Sequence, residues 1–150
     1  VSKIELNFEK KIFKNLQILE ILFSTNYKKG TFRGMHYQSY PYSQAKIILC
    51  LNGSIEDYVI DLNRKSKFFM KNKKIQLSQK NNKAMFINKG LAHGFLTLEN
   101  NTKLMYLLFG KYKKNYEKGI RYNDKIVNLN IKNKIKSISD RDLSFKDFKR

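Results

Sequence analysis

Cysteine, proline and histidine are scarce in this chain of 150 residues, which has one, one and two of them. The single cysteine, Cys50, excludes an internal disulfide. It sits in the apolar run Ile47-Ile48-Leu49-Cys50-Leu51, where a buried, inert thiol is expected. The single proline, Pro41, falls in the loop-like stretch Ser39-Tyr40-Pro41-Tyr42-Ser43. No apolar run is long enough to cross a bilayer, and Val1-Ser2-Lys3-Ile4-Glu5 carries no apolar signal region. The expectation is a cytoplasmic protein with no membrane partner. No internal repeat, linker or break in composition divides the sequence, so a single domain over residues 1–150 is expected.

Acidic residues are also few: 12 Asp and Glu stand against 31 Lys and Arg, a formal net charge of +19. Such a balance has two readings. One is phosphate neutralisation by a nucleic-acid binder. The other is a general abundance of lysine. Lysine, asparagine and isoleucine are used heavily from end to end, no basic tail gathers, and no zinc-finger, helix-turn-helix or RNP-type pattern is present. No nucleic-acid partner is therefore expected. The positive field still favours small anionic ligands, such as a nucleotide diphosphate. A hydrophobic share of 41% with 13% aromatics is that of a globular domain with a real core, and not of a disordered chain.

Hydrophobic periodicity supplies mostly strands. Phe8, Ile12, Phe13, Leu16 and Leu19 recur at helical spacing, which predicts a short amphipathic helix near the start. Ile18 to Phe23 reads as a strand. A turn over Asn26–Gly30 follows, and the strand opening at Thr31-Phe32-Arg33 delivers His36. Ala45 to Leu51 is an apolar strand carrying Lys46 near its start. Asn52-Gly53 is a two-residue hairpin signal, which predicts Ser54 to Leu62 as its partner strand. In that strand Tyr58, Ile60 and Leu62 alternate with Ile55, Asp57, Val59 and Asp61. Acidic residues among Ile and Val suggest that the second face lines something polar. Phe68-Phe69-Met70, Lys74–Leu77, Lys83–Ile87, Phe95–Leu98 and Lys103–Phe109 complete the set of strands. Many short strands, tight turns and little helix predict an all-β fold. A cupin-type jelly-roll sandwich or barrel with short flanking helices fits best.

Both histidines lie beside glycines and between apolar runs: Arg33-Gly34-Met35-His36-Tyr37-Gln38 and Gly90-Leu91-Ala92-His93-Gly94-Phe95. Histidine takes and returns protons near neutral pH, so the pair marks a candidate site. A metal centre needs several ligands converging on one cation. Met35 and Tyr37 flank His36, so no His-x-His pair exists. Neither metal nor cofactor is expected.

These motifs, taken in order, resemble the dTDP-4-dehydrorhamnose 3,5-epimerase family of the cupins. The resemblance is carried by Lys29-Gly30-Thr31-Phe32-Arg33-Gly34-Met35-His36-Tyr37-Gln38, Lys46, and Asn52-Gly53-Ser54-Ile55-Glu56-Asp57. It continues through Gly90–Phe95, Tyr106, Glu117-Lys118-Gly119-Ile120-Arg121-Tyr122-Asn123-Asp124 and Ser139-Asp140-Arg141-Asp142-Leu143. It implies a cofactor-free epimerase that inverts the carbons beside the ketone of a nucleotide-linked 4-keto-6-deoxy sugar, for surface polysaccharide synthesis. His36 matches the family's general base and Asp142 the carboxylate that orients it. Lys46 matches the cation at the ketone oxygen, and Tyr106 the acid that reprotonates carbon from the opposite face. Arg33 matches a diphosphate or sugar contact and His93 a further substrate contact. Glu117, Arg141 and Tyr112 match contacts on the nucleotide side. Asp57 is a weaker candidate for the same pocket. A homodimer is implied, with strands of one subunit completing the sheet of the other.

The family usually opens with an Asp-x-Arg-Gly-x-Phe-x-Glu segment, and no such pattern precedes Gly30. Ile21-Leu22-Phe23 stands where the family usually carries Gln-Asp-Asn. The expectation is a shortened N-terminus with part of the nucleotide grip missing or rebuilt. Arg141 replaces a common lysine, which keeps the charge and changes the geometry. Two alternatives accompany the main reading. One is an epimerase of another nucleotide sugar, for example a 4-keto heptose. The other is an inactive sugar-nucleotide-binding cupin.

Overall fold

A computed structural model describes residues 17–149. The strands are β1 (Glu20–Asn26), β2 (Thr31–Gln38), β3 (Ala45–Asn52), β4 (Ser54–Asp61), β5 (Asn72–Ser78), β6 (Ala84–Ile87), β7 (Leu91–Thr97), β8 (Thr102–Phe109), β9 (Glu117–Gly119) and β10 (Ser137–Ile138). The smaller sheet has the order β1-β8-β3-β6, and the larger runs β10-β2-β7-β4-β5 with β9 also on β2. All pairings are antiparallel except the two-residue parallel contact of β10 with β2. The expected all-β cupin sandwich is the fold observed. Its only described helices are a 3-10 turn at Lys114–Tyr116 and a single helical turn at Asp140–Leu143. The helix expected around Phe8–Leu19 lies largely outside the described residues.

Strand alternation sorts the core. One face of β3 and β4 gives Ile48, Cys50, Ile55 and Val59, which pack between the sheets with Leu77, Ile87, Phe95 and Leu104. The other face of β4 gives Tyr58 and Ile60. They join Phe32, Met35, Ala92 and Leu96 beneath Ile120, Val127 and Leu129 of the C-terminal segment. Ala45, Ile47, Leu49 and Phe109 form a third cluster on the far face of the smaller sheet. Cys50 is buried as expected, its thiol donating to the carbonyls of Asn52 and Gly53. Burial pushes its pKa up to about 11, which makes it inert.

Two local expectations are corrected. Asn52-Gly53 is a tight turn, but β3 and β4 do not pair: β3 belongs to the smaller sheet and β4 to the larger. The chain shifts register at Cys50/Asn52, and Gly53 takes φ +77 against Thr102, where a Cβ would lie 2.6 Å from Oγ1. The bulge and glycine turn the chain from one sheet into the other, a use of such devices that hairpin statistics do not separate. Phe68-Phe69-Met70 is not a strand. Turn hydrogen bonds (Phe69 N to Ser66 O, Lys71 N to Phe68 O) and a Met70 φ of 62 close it into consecutive turns.

Candidate active site

The two histidines face each other because of a bulge. In the β2–β7 ladder Arg33 pairs with Phe95 and His36 with His93, so Gly34 and Met35 together oppose Gly94. The extra residue sends Arg33 and His36 to the same side of the sheet. The strands touch where the glycines meet: a Cβ on Gly34 would stand 2.5 Å from the Gly94 Cα, and Gly34 has φ +119. Glycine is required there both for conformation and for space.

Seven of the nine candidates line one cavity of about 340 Å3 between the sheets: Arg33, His36, Lys46, His93, Tyr106, Tyr112 and Glu117. The remaining two stand directly behind it. Asp142 Oδ1 lies 2.7 Å from His36 Nε2, and Asp142 Oδ2 accepts from the Gly34 N–H at 3.0 Å. Arg141 Nη2 lies 2.5 Å from Glu117 Oε1, and the Tyr112 hydroxyl donates to Glu117 Oε2 at 2.6 Å.

Asp142 comes from 106 residues away in sequence. β10 lies against the start of β2, and Ser139 then caps the helical turn by accepting from the Asp142 N–H at 3.1 Å. This sets the carboxylate under the bulge, 2% exposed. Burial alone would raise its pKa. The hydrogen bonds from His36 and Gly34 prevail and hold it below the usual carboxylate range. An ionised carboxylate only accepts, so His36 Nε2 carries the ring proton and Nδ1 is left basic. Phe145 packs edge-on against the His36 ring at 5.6 Å.

Lys46 enters from β3. Burial pushes its pKa down to about 8, while Asp57 and Glu117 act in the other direction. Tyr106, on β8, has its pKa raised by burial and then by the Asp57 charge, so the phenol keeps its proton. Its ring lies edge-on to His93 at 6.4 Å. Arg33 donates through Nε to the buried Asn26 Oδ1 at 3.0 Å and has no carboxylate partner among the described residues. Glu117 is likewise penalised by burial, but hydrogen bonds from Tyr112 and Arg141 bring its pKa below the ordinary value.

Asp57 matters more than the sequence alone suggested. It is 0% exposed, and its Oδ2 lies 2.9 Å from His93 Nε2. The signal was the alternation of β4, which puts Asp57 on the face of Ile55 and Val59. Leu22, Phe23 and Ser24 of β1 also line the cavity, with Tyr37, Gln38 and Gln44. Tyr37 and Gln38 lay in the motif around His36, and Leu22 and Phe23 in the stretch that departs from the family, but none was marked as a site residue; Ser24 and Gln44 carried no signal and face the cavity through sheet geometry. No cluster of three or more His, Cys, Asp or Glu able to hold a metal occurs among the described residues.

Residues 5–150 match the family model described as dTDP-4-dehydrorhamnose 3,5-epimerase. The enzyme of that name from Shigella flexneri is 31% identical over 141 residues, covering 94% of this chain and 77% of the relative. That of Mycobacterium tuberculosis strain H37Rv is 33% identical over 122 residues, but the chain spans only 60% of its length. Among solved structures, the Bacillus anthracis enzyme with TDP and pyrophosphate bound superposes with a TM-score of 0.84 at 31% identity, covering 94% of this chain and 83% of the other. The Legionella pneumophila enzyme in complex with dTDP-4-keto-L-rhamnose gives 0.81 at 28% identity, covering 94% and 77%. With fold, motif order and whole-chain similarity in agreement, the chain belongs to the dTDP-4-dehydrorhamnose 3,5-epimerase family of isomerases.

Proposed function

We propose that the protein inverts C3 and C5 of a dTDP-linked 4-keto-6-deoxy hexose by proton exchange, without a cofactor, in the cytoplasm. The observation that carries this is the His36–Asp142 pair, held opposite His93 in a cavity that also holds Lys46 and Tyr106. A proton beside a ketone is removed, and charge moves to the ketone oxygen as the enolate forms. His36 Nδ1 takes the proton, and Asp142 stabilises the imidazolium so created. Lys46 supplies positive charge to the oxygen, and a placed donor of this kind contributes about 3–4 kcal/mol. Tyr106, with its phenol protonated, returns a proton to the opposite face of the carbon. Arg33 offers a forked cation to the diphosphate or sugar, and His93 contacts the sugar. Tyr112 and Arg141, each joined to Glu117, receive the nucleotide with it.

The working unit is a homodimer. Among the described strands β1 is an edge of the smaller sheet, and it leaves large apolar side chains in solvent: Ile21 is 53% and Phe23 61% exposed. Such an edge is a template for another strand, and Leu22, Phe23 and Ser24 also border the cavity. A subunit pairing here would cover the edge and help close the site.

Deuterium uptake from solvent into dTDP-4-keto-6-deoxy-glucose, followed by NMR, tests the reading. Label is expected at both C3 and C5 and is expected to vanish in His36→Ala. Label at one carbon alone would make the protein a mono-epimerase. No label from folded protein would reject this substrate, and other 4-keto nucleotide sugars would then separate a different epimerase from an inactive binder.

A further inference from the structure

Asp57, 0% exposed, is the most deeply buried carboxylate among the described residues, and half of it is unused. Oδ2 holds His93 Nε2 at 2.9 Å, while Oδ1 is the one buried side-chain polar atom among the described residues with no hydrogen-bond partner. An unpaired buried carboxylate oxygen is costly. A hydrophobic residue between Ile55 and Val59 would pack that interior without the cost. A group kept at such expense in a cleft is a candidate for function.

Its surroundings say which function. A carboxylate accepts, so His93 Nε2 bears the proton. Burial, outweighing the Asp57 charge, lowers the His93 pKa, and the ring is neutral. Nδ1 then carries a lone pair; it has no protein partner among the described residues, and His93 lines the cavity. The ring therefore meets substrate as a hydrogen-bond acceptor, which suits a sugar hydroxyl and not a ketone oxygen. Lys46, on the facing sheet, feels Asp57 as the larger of two charges that favour its cation, Glu117 of β9 being the other. The remaining titratable groups lining that cavity are Arg33, His36 and Tyr37 of β2, His93 of β7, Tyr106 of β8 and Tyr112, none of them an anion while the tyrosines stay protonated.

We propose that Asp57 is a positioning residue of this site: it fixes His93 as the Nε2–H tautomer, with Nδ1 accepting from a substrate hydroxyl. The catalytic meaning rests on the epimerase reading, but the tautomer can be measured without turnover. Protein labelled with 15N-histidine has two signals to assign, and His36→Asn removes one. The His93 ring is expected to show the neutral Nε2–H pattern at pH 7 to 8. An Nδ1–H or doubly protonated ring would overturn the proposal, with no substitution at Asp57 required. In Asp57→Leu, which removes the acceptor and leaves an apolar interior, the Nε2–H preference is expected to be lost and the deuterium-exchange rate to fall with it. An Nε2–H pattern that persists in folded Asp57→Leu would reduce Asp57 to a structural residue and overturn the proposal. If unaltered protein exchanges no label while the tautomer and its dependence on Asp57 hold, the substrate assignment fails and the role of Asp57 stands.

Discussion

Lys46 shows how one side chain ties stability to activity in opposite senses. Its pKa of about 8 lies below the ordinary lysine value because burial disfavours the cation. A base with a lowered folded pKa weakens the fold at low pH, and that cost is relieved as pH rises from about 8 towards the unfolded value. Asp142 has the opposite sign. Its depressed pKa stabilises the fold above the usual carboxylate range, and the contribution is lost as acid protonates it. The activity that needs the Lys46 cation should fall as pH rises through about 8. Lys46→Met is expected to lose about 10²–10³-fold in exchange rate, as for removal of one oxyanion donor. It is expected to unfold at a higher temperature than the unaltered protein at pH 7, because a buried charge gives way to an apolar chain of similar length. Rate measurements and calorimetry on the same preparation check both directions, and a variant that loses rate and stability together contradicts this account. At this scale the sequence was informative. His36, Lys46, Tyr106 and Asp142 stood in recognisable motifs. The depth of Asp57 did not, since burial depends on what the opposite sheet brings.

The glycine contact between β2 and β7 governs an entire element. A Cβ on Gly94 would stand 2.7 Å from Met35 Sδ and 2.8 Å from the Arg33 carbonyl. The sulfur can move aside; the carbonyl belongs to the ladder and cannot. Gly94→Ala should therefore push the strands apart at the bulge and disturb the His36–His93 pairing. Gly34→Ala adds a positive φ to a contact with backbone and should be worse, by about 1–3 kcal/mol for the conformation alone. Denaturant titration is expected to rank the stabilities as unaltered, then Gly94→Ala, then Gly34→Ala. Equal stability of Gly34→Ala and the unaltered protein would contradict the bulge as described. Elements were legible where local pattern decides them. The strands at Ala45–Asn52 and Thr102–Phe109 were evident from apolar runs. The partnership of a strand was not, and Asn52-Gly53 shows why. A bulge and a glycine turn look alike in sequence whether the chain folds back on itself or crosses to another sheet. Phe68-Phe69-Met70 failed for a related reason, because aromatic content mimics a strand where backbone turns and Asn or Ser side chains decide.

For the whole molecule, charge sets how substrate arrives. A net charge of +19 attracts a dianionic nucleotide sugar over distances comparable with the Debye length, and added salt screens this. The expectation is that kcat/KM falls severalfold from about 0.01 M to 1 M ionic strength while kcat changes little. An unchanged kcat/KM would place the attraction entirely in short-range contacts. The all-β class and the order of motifs were readable from the chain, since short apolar strands and turns leave few alternatives. The enclosure of a cavity by two sheets was not, because it depends on pairings between residues far apart in sequence.

The join between His36 and Asp142 also has a temporal side. The first eight strands end at Phe109, while Asp142, the partner of His36, arrives only after β10 has laid itself along β2. During synthesis those eight strands leave the ribosome before Tyr112, Glu117 and Asp142, so the segment that follows them both completes the cavity wall and pairs its histidine. A chain nicked between β9 and Ser139 would keep the residues that line the cavity and lose the fixed position of the Asp142 carboxylate. On the proposed mechanism such a copy would bind the nucleotide sugar without exchanging its protons.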